Sequence, residues 1–132
     1  MNKDKTKILL VCEDGQASLD VAAGTIQSTI YGTHEVTLRM ASAVSIQEVL
    51  AADCYLFGVV KAESPVWKEL RRLFKGINLA GRRAAFFTVE AAEAALLRTA
   101  FKDASLSVSD PDLVVQKNAD VAAWVQRALA GS

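Results

Sequence analysis

The chain has 132 residues, 52% of them hydrophobic, 7% aromatic and 23% charged, which suits one compact domain and leaves no room for two separate cores. Fifteen Lys plus Arg balance fifteen Asp plus Glu, so the basic footprint that nucleic acid or an anionic membrane surface requires is missing. One histidine, two cysteines and no Cys-x-x-Cys pair are too few ligands for a four-ligand zinc site, and they argue against metal catalysis and a Ser-His-Asp triad alike.

After a charged start, Ile8 to Cys12 is a continuous apolar run, the pattern of a strand covered on both faces. It is too short for a signal-peptide core, and no stretch approaches the roughly 20 apolar residues of a membrane helix, so the sequence reads as cytoplasmic. Leu19, Ala22, Ala23, Ile26 and Ile30 then form one stripe of an amphipathic helix that stops at Gly32. In Glu35 to Met40 the apolar Val36, Leu38 and Met40 alternate with polar neighbours, which predicts a half-exposed edge strand. Ser45-Ile46-Gln47-Glu48 is a capping box opening a short helix through Leu50.

Tyr55 to Val60 is a second buried run. Ser64 suits the cap and Pro65 the first position of the next helix, with Val66, Leu70, Leu73, Phe74 and Ile77 as its inward stripe. Gly76 and Gly81 bracket the turn into a fourth strand, Ala84 to Val89, and Glu90 to Lys102 is an Ala- and Leu-rich helix. Leu106 to Val108 and Leu113 to Val115, split by Ser109-Asp110-Pro111-Asp112, predict an interrupted fifth strand, because proline has no N–H to give a central ladder. Asn118 is placed to cap a last helix with Val121, Trp124, Val125, Ala128 and Leu129 on one face. Strands alternating with helices predict an α/β three-layer sandwich, a single domain over 1–132 with a five-stranded parallel sheet in the order 2-1-3-4-5.

In such a sheet, ligands bind beyond the carboxyl ends of the strands, at the switch point beside strands one and three. That rule selects three loops, Glu13 to Ser18 after strand one, Lys61 to Ser64 after strand three and Glu90 to Glu93 after strand four; the candidate cofactor-binding residues in and beside them are Glu13, Asp14, Gly15, Gln16, Ala17, Ser18, Gly58, Val59, Val60, Lys61, Thr88, Val89 and Glu90. Cys12 and Cys54 sit at opposite ends of their strands, roughly 12–16 Å apart, too far for a disulfide. Both read as core residues, with Cys12, nearer the functional edge, the one candidate reactive thiol.

Several landmarks in order resemble a short flavodoxin. They are Lys7-Ile8-Leu9-Leu10-Val11, His34-Glu35-Val36 followed by Ala41-Ser42-Ala43-Val44, Asp53-Cys54-Tyr55-Leu56-Phe57-Gly58, Leu79 to Phe87, and Leu113-Val114-Val115 with Trp124. The resemblance implies the flavodoxin-like fold and three loops that hold FMN in an electron carrier. This chain departs from the pattern at each loop. The hydroxyl-rich phosphate turn at a helix start reads Glu13-Asp14-Gly15-Gln16-Ala17-Ser18, with two carboxylates at the phosphate position, each costing on the order of 1 kcal/mol or more at 4–6 Å. Asp14 is expected to cap the helix itself. The second loop, Val59 to Glu63, has no ring to stack on flavin, Trp67 reads as a helix-surface or dimer-contact residue, and the third loop shrinks to Thr88-Val89-Glu90-Ala91.

A second resemblance is to phospho-receiver domains: Glu13-Asp14, Thr88 and Lys117 look like the acidic pair, hydroxyl and lysine of that family, although Gly58 stands where it carries the phosphorylated aspartate. His34 reads as a solvated turn residue, since no nucleophile is placed beside it. Arg71-Arg72 and Arg82-Arg83 read as solvated or helix-terminal charges, and Lys61 as the one crevice cation, available to Glu13, Asp14 or Glu63. The expectation is a flavodoxin-like, cofactor-free interaction or regulatory module with no catalytic residue and no metal, binding an unknown protein partner or forming a homodimer. The alternatives are an FMN-dependent electron carrier with weak or atypical flavin binding, and a degenerate receiver.

Overall fold

The computed structural model describes residues 7–30, 32, 34–77, 79, 82–101, 107–108, 112–115 and 121–129. Strand β1 (Lys7–Cys12) pairs in parallel with β2 (Glu35–Met40) on one side and β3 (Cys54–Val59) on the other. β3 pairs with β4 (Arg83–Thr88), and two short pieces, β5 (Ser107–Val108) and β6 (Leu113–Val114), share the far side of β4. The resulting order is 2-1-3-4-5, with the fifth position split as the proline predicts. Leu106 and the 109–111 segment lie outside the described residues. β1 and β3 are buried along nearly their whole length while β2 is half-exposed, which is why their sequences read as unbroken and alternating respectively.

Odd-numbered β1 and β3 side chains enter one layer. There Leu9, Val11, Tyr55, Phe57, Val59 and Phe86 meet α2 (Ile46–Ala51), α3 (Pro65–Lys75) and α4 (Ala91–Ala100). Phe57 is the hub, its ring 5.0 Å from Phe101, 5.2 Å from Phe86, 5.6 Å from Phe74 and 6.1 Å from Trp67 between centroids. Even-numbered β1 and β3 residues enter the opposite layer, where Ile8, Leu10, Cys12 and Leu56, with Phe87 of β4, meet α1 (Asp20–Ile30) and α5 (Val121–Leu129). Each large side chain fully buried in these layers contributes about 1.5–3 kcal/mol against an extended chain.

Three local expectations are corrected. Helix α1 begins one residue later than its apolar stripe, after a single 3-10 turn (Ala17–Leu19) that carries Leu19 into the core. Ser64 precedes Pro65 as the N-cap residue of α3, but its hydroxyl makes no cap bond and donates instead to Glu13, 3.4 Å away. Trp67 is not a surface or dimer-contact residue: it is 1% exposed, and the inward face of α3 runs Trp67, Leu70, Phe74, with Val66, Leu73 and Ile77 only half-buried. The rotation is a matter of one residue on a helical wheel, and the aromatic layer around Phe57 decides it. Asn118 and Lys117 lie outside the described residues. Among the described residues, no helix is long and apolar enough to cross a membrane.

Candidate functional site

The crevice is set by topology. β1 and β3 are neighbours whose chains leave in opposite directions across the sheet, so their carboxyl ends open a gap between the first two loops. The register aligns Cys12 with Gly58, and the Glu13 N–H extends the ladder by donating to the Gly58 carbonyl at 2.9 Å. Gly58 has to be a glycine for the other layer's sake: a Cβ there would lie 2.6 and 2.7 Å from ring atoms of Phe87.

Glu13 continues the odd-numbered face past the end of β1 and turns inward. It is 3% exposed. Its Oε1 accepts from the backbone N–H of Val60 at 2.7 Å, the N–H of Lys61 at 2.8 Å and the indole N–H of Trp67 at 3.0 Å. Its Oε2 accepts from the Gln16 side-chain amide at 3.2 Å and the Ser64 hydroxyl at 3.4 Å. A buried carboxylate costs several kcal/mol in lost hydration unless donors replace the water, and these donors do so. The next amide of the same loop, Ala62, donates to Glu93 Oε1 at 2.7 Å. Three consecutive N–H groups beyond β3 are thus bound to the protein's own carboxylates.

Asp14 goes the other way. Its carboxylate accepts from the Ser42 N–H at 2.9 Å and the Ser42 hydroxyl at 2.5 Å, tying the first loop to the turn Ala41–Ala43 that follows β2. The expectation that Asp14 caps the first helix is therefore wrong. Gly15 makes the bend with φ +71°, a conformation that suits glycine. Gln16 stands at the N-cap of the turn with no side-chain cap bond, and Ala17 and Ser18 are exposed. Neither carboxylate bonds the backbone N–H groups at that helix start: Asp14 is held by Ser42, and Glu13 meets only the Gln16 side chain there.

The third loop is closed on itself. Thr88 is fully buried, and its hydroxyl both accepts from the Glu90 N–H at 2.9 Å and donates to the Glu90 carbonyl at 3.0 Å, leaving Val89 half-buried and Glu90 exposed. The receiver-like convergence of Thr88 on Asp14 is not what these bonds build. Val59 points into the aromatic layer, 0% exposed. What remains open between the second and third loops is a polar crevice of about 410 Å³ lined by Lys61, Glu63, Ser64 and Glu93.

Neither cysteine is poised to react. Burial, with the charge of Asp20 adding to it, pushes the Cys12 thiol up to about 12, and burial raises Cys54 to about 11 against the opposing Arg83 charge. A thiol so far above neutrality carries no useful thiolate. Both are unpaired core residues, and the β1–β3 register sets Cys54 beside Ile8, away from Cys12. The His34 N–H closes the end of α1 on the Ile30 carbonyl. Arg82 is a helix-terminal charge: its Nη1 reaches the carbonyls of Val49, Leu50 and Ala52 at 2.9–3.1 Å and caps the C-terminal end of α2. Arg72 pairs with Glu69 on the surface of α3 at 3.3 Å. Among the described residues no group of three or more His, Cys, Asp or Glu side chains is arranged to hold a metal ion.

Glu13 and Asp14 stand out in the sequence by their place after strand one, while their partners lie far along the chain. Ser42 lies 28 residues from Asp14, and Trp67 lies 54 residues from Glu13. A tryptophan in the first turn of a helix that needs an indole acceptor, and an acidic residue just past a buried strand, were the available signals.

No family model and no curated protein sequence matches the chain. Solved structures do. A Streptococcus pneumoniae flavodoxin superposes with a TM-score of 0.79 at 10% identity, covering 96% of this chain and 100% of that one. A short-chain flavodoxin associated with a bacterial microcompartment gives 0.77 at 11% identity, over 96% and 99% of the two chains. A Fusobacterium nucleatum flavodoxin variant bound to flavin mononucleotide gives 0.65 at 5% identity, over 89% and 81%. Identities this low speak for the shared backbone and for nothing finer. With the 2-1-3-4-5 sheet, the two helical layers and these full-length superpositions together, the chain is flavodoxin-like, with the fold of the short-chain flavodoxins.

Proposed function

We propose that this flavodoxin-like chain is an interaction or regulatory module that works without a tightly held flavin, meeting a protein partner or a second copy of itself along the carboxyl edge of its sheet. The observation that carries this reading is Glu13. A flavin ring lying between the second and third loops needs donors and stacking surfaces from them, yet the Val60 and Lys61 amides donate to Glu13 and the Ala62 amide to Glu93. The nearby aromatic ring, Trp67, packs edge-on against Phe57 inside the core. Residues at the ring position therefore do not fit FMN as they stand. Each missing aromatic contact removes about 0.5–1.5 kcal/mol, and the unavailable amides remove more.

A second reading, an FMN-dependent electron carrier with atypical binding, draws on a different observation. The start of the first helix has a positive-φ glycine turn, no side-chain cap at Gln16 and exposed Ala17 and Ser18, so it retains the form of an anion-accepting helix start, and the superposing proteins are flavodoxins. Titrating the purified protein with FMN and following flavin fluorescence decides between the two. The first reading expects no saturation in the micromolar range, while a complex of ~1 μM or tighter, about −8 kcal/mol, establishes the carrier. Light scattering of the same sample then separates a second copy from a foreign partner.

A further inference from the structure

Five donors converge on the Glu13 carboxylate. Val60 N–H, Lys61 N–H and the Trp67 indole N–H converge on one oxygen at 2.7, 2.8 and 3.0 Å, and Gln16 and Ser64 reach the other at 3.2 and 3.4 Å. They come from three separate stretches: the first loop, the second loop and the first turn of α3. Among the described residues no Lys or Arg hydrogen-bonds to this 3% exposed carboxylate, and its hydrogen-bond donors are neutral groups. Such a set is selective by its chemistry. Its backbone and indole side offers only donors, since the two backbone amides and the indole have no lone pair to give.

We infer that the pocket formed by the Val60 and Lys61 amides, the Trp67 indole, Ser64 and Gln16 is a small-carboxylate site, filled in the intact protein by Glu13 as an internal ligand, which thereby positions the β3–α3 loop and keeps its donors from any other anion. This goes beyond the question of FMN, because the site is defined by its donors whether or not flavin enters the crevice. Glu13→Ala removes a group of the size and shape of an acetate ion and leaves the donors in place. The truncated protein takes up acetate or formate there, and the free anion restores what the side chain did.

The test titrates acetate, formate and chloride, at matched ionic strength, into the unaltered protein, E13Q and E13A. Readouts are the amide resonances of Val60 and Lys61 and the emission of Trp67. The expected result is a saturable shift of all three signals toward their native values in E13A with acetate or formate, no shift with chloride, and no response in the unaltered protein or in E13Q, whose side-chain oxygen still accepts from the donors. If E13A is unfolded in plain buffer, acetate-driven recovery of the native far-ultraviolet spectrum is the supporting result. An E13A protein that ignores both carboxylates, folded or not, overturns the inference, as does an equal response to chloride or an equal response in E13Q. Because FMN is absent from every sample, the outcome is separate from that of the flavin titration.

Discussion

Gly58 shows how tightly a single position can be held by its neighbour on the sheet. The far end of the Phe87 ring reaches it from the adjacent strand, so an added methyl would sit 2.6 Å from a ring carbon, closer than real contacts permit. Gly58→Ala forces the ring off its place against Trp124 and is expected to destabilise the fold by about 1–3 kcal/mol, read from the urea midpoint. The pair G58A/F87L should recover part of that loss, whereas additive losses would locate the strain elsewhere. The cysteines make a pH prediction of definite sign. Unfolded, both thiols ionise near 9; folded, burial holds them at about 12 and about 11. The folded protein therefore keeps protons that the unfolded chain gives up. This contribution is intact below pH 9 and disappears as pH rises through the two folded values, at about 1.4 kcal/mol per thiol per unit. Tyr55, also raised by burial, acts in the same direction. Urea midpoints that hold steady across pH 9 and upward would contradict the burial of these groups.

Helix α2 is a case where one end was legible and the other was not. Its capping box is written in four adjacent residues, and the structure forms both bonds: Glu48 N–H to the Ser45 hydroxyl at 3.2 Å and Ser45 N–H to the Glu48 carboxylate at 3.0 Å. The other end is closed by Arg82, some thirty residues along the chain, which no local pattern announces. Six residues are too few to hold a helix by themselves, so both caps matter. Ser45→Ala is expected to cost about 0.5–2 kcal/mol in the urea midpoint. The Ser45 backbone hydrogen bond, and after it Arg39 at 2.6 Å, hold the Glu48 carboxyl below its ordinary 4.5. A carboxyl lowered on folding stabilises above its unfolded value, and that stability is lost as pH falls through the folded one. The gap between the native protein and Glu48→Gln should accordingly shrink on acidification below pH 4.5. A gap that is constant with pH would mean that Glu48 acts through packing alone. The same contrast explains Trp67: both Val66 and Trp67 fit a helical stripe with Leu70 and Phe74, and only the distant Glu13 and Phe57 choose between them.

At the scale of the molecule, what could be read in advance was whatever repeats along the chain. Buried runs, one alternating edge strand and helical stripes determine the sheet order, because each is a one-dimensional record of which faces are covered. The crevice is different, since its character depends on where two adjacent carboxylates turn. In sequence Glu13 and Asp14 look like a shared negative rim; folded, one faces the second loop and the other the turn after β2, each satisfied by donors. The distinction changes what a flavin-restoring variant should do. Were rim charge the obstacle, Glu13→Ser and Asp14→Thr would contribute alike to FMN affinity. With the donors engaged as described, Asp14→Thr only loosens the link to Ser42, while Glu13→Ser returns the Val60 and Lys61 amides to the crevice. Most of any gain should therefore come from Glu13→Ser, by about tenfold or more, equivalent to ~1.4 kcal/mol, and Asp14→Thr should add little to it. Glu13→Ser also leaves buried donors unmet, a loss of about 1–3 kcal/mol for each, within a total stability of about 5–15 kcal/mol, so its urea midpoint has to fall as its flavin affinity rises. Titrating FMN into the two single variants and the double, alongside their unfolding curves, checks both halves; equal gains from the two single variants would restore the rim-charge explanation.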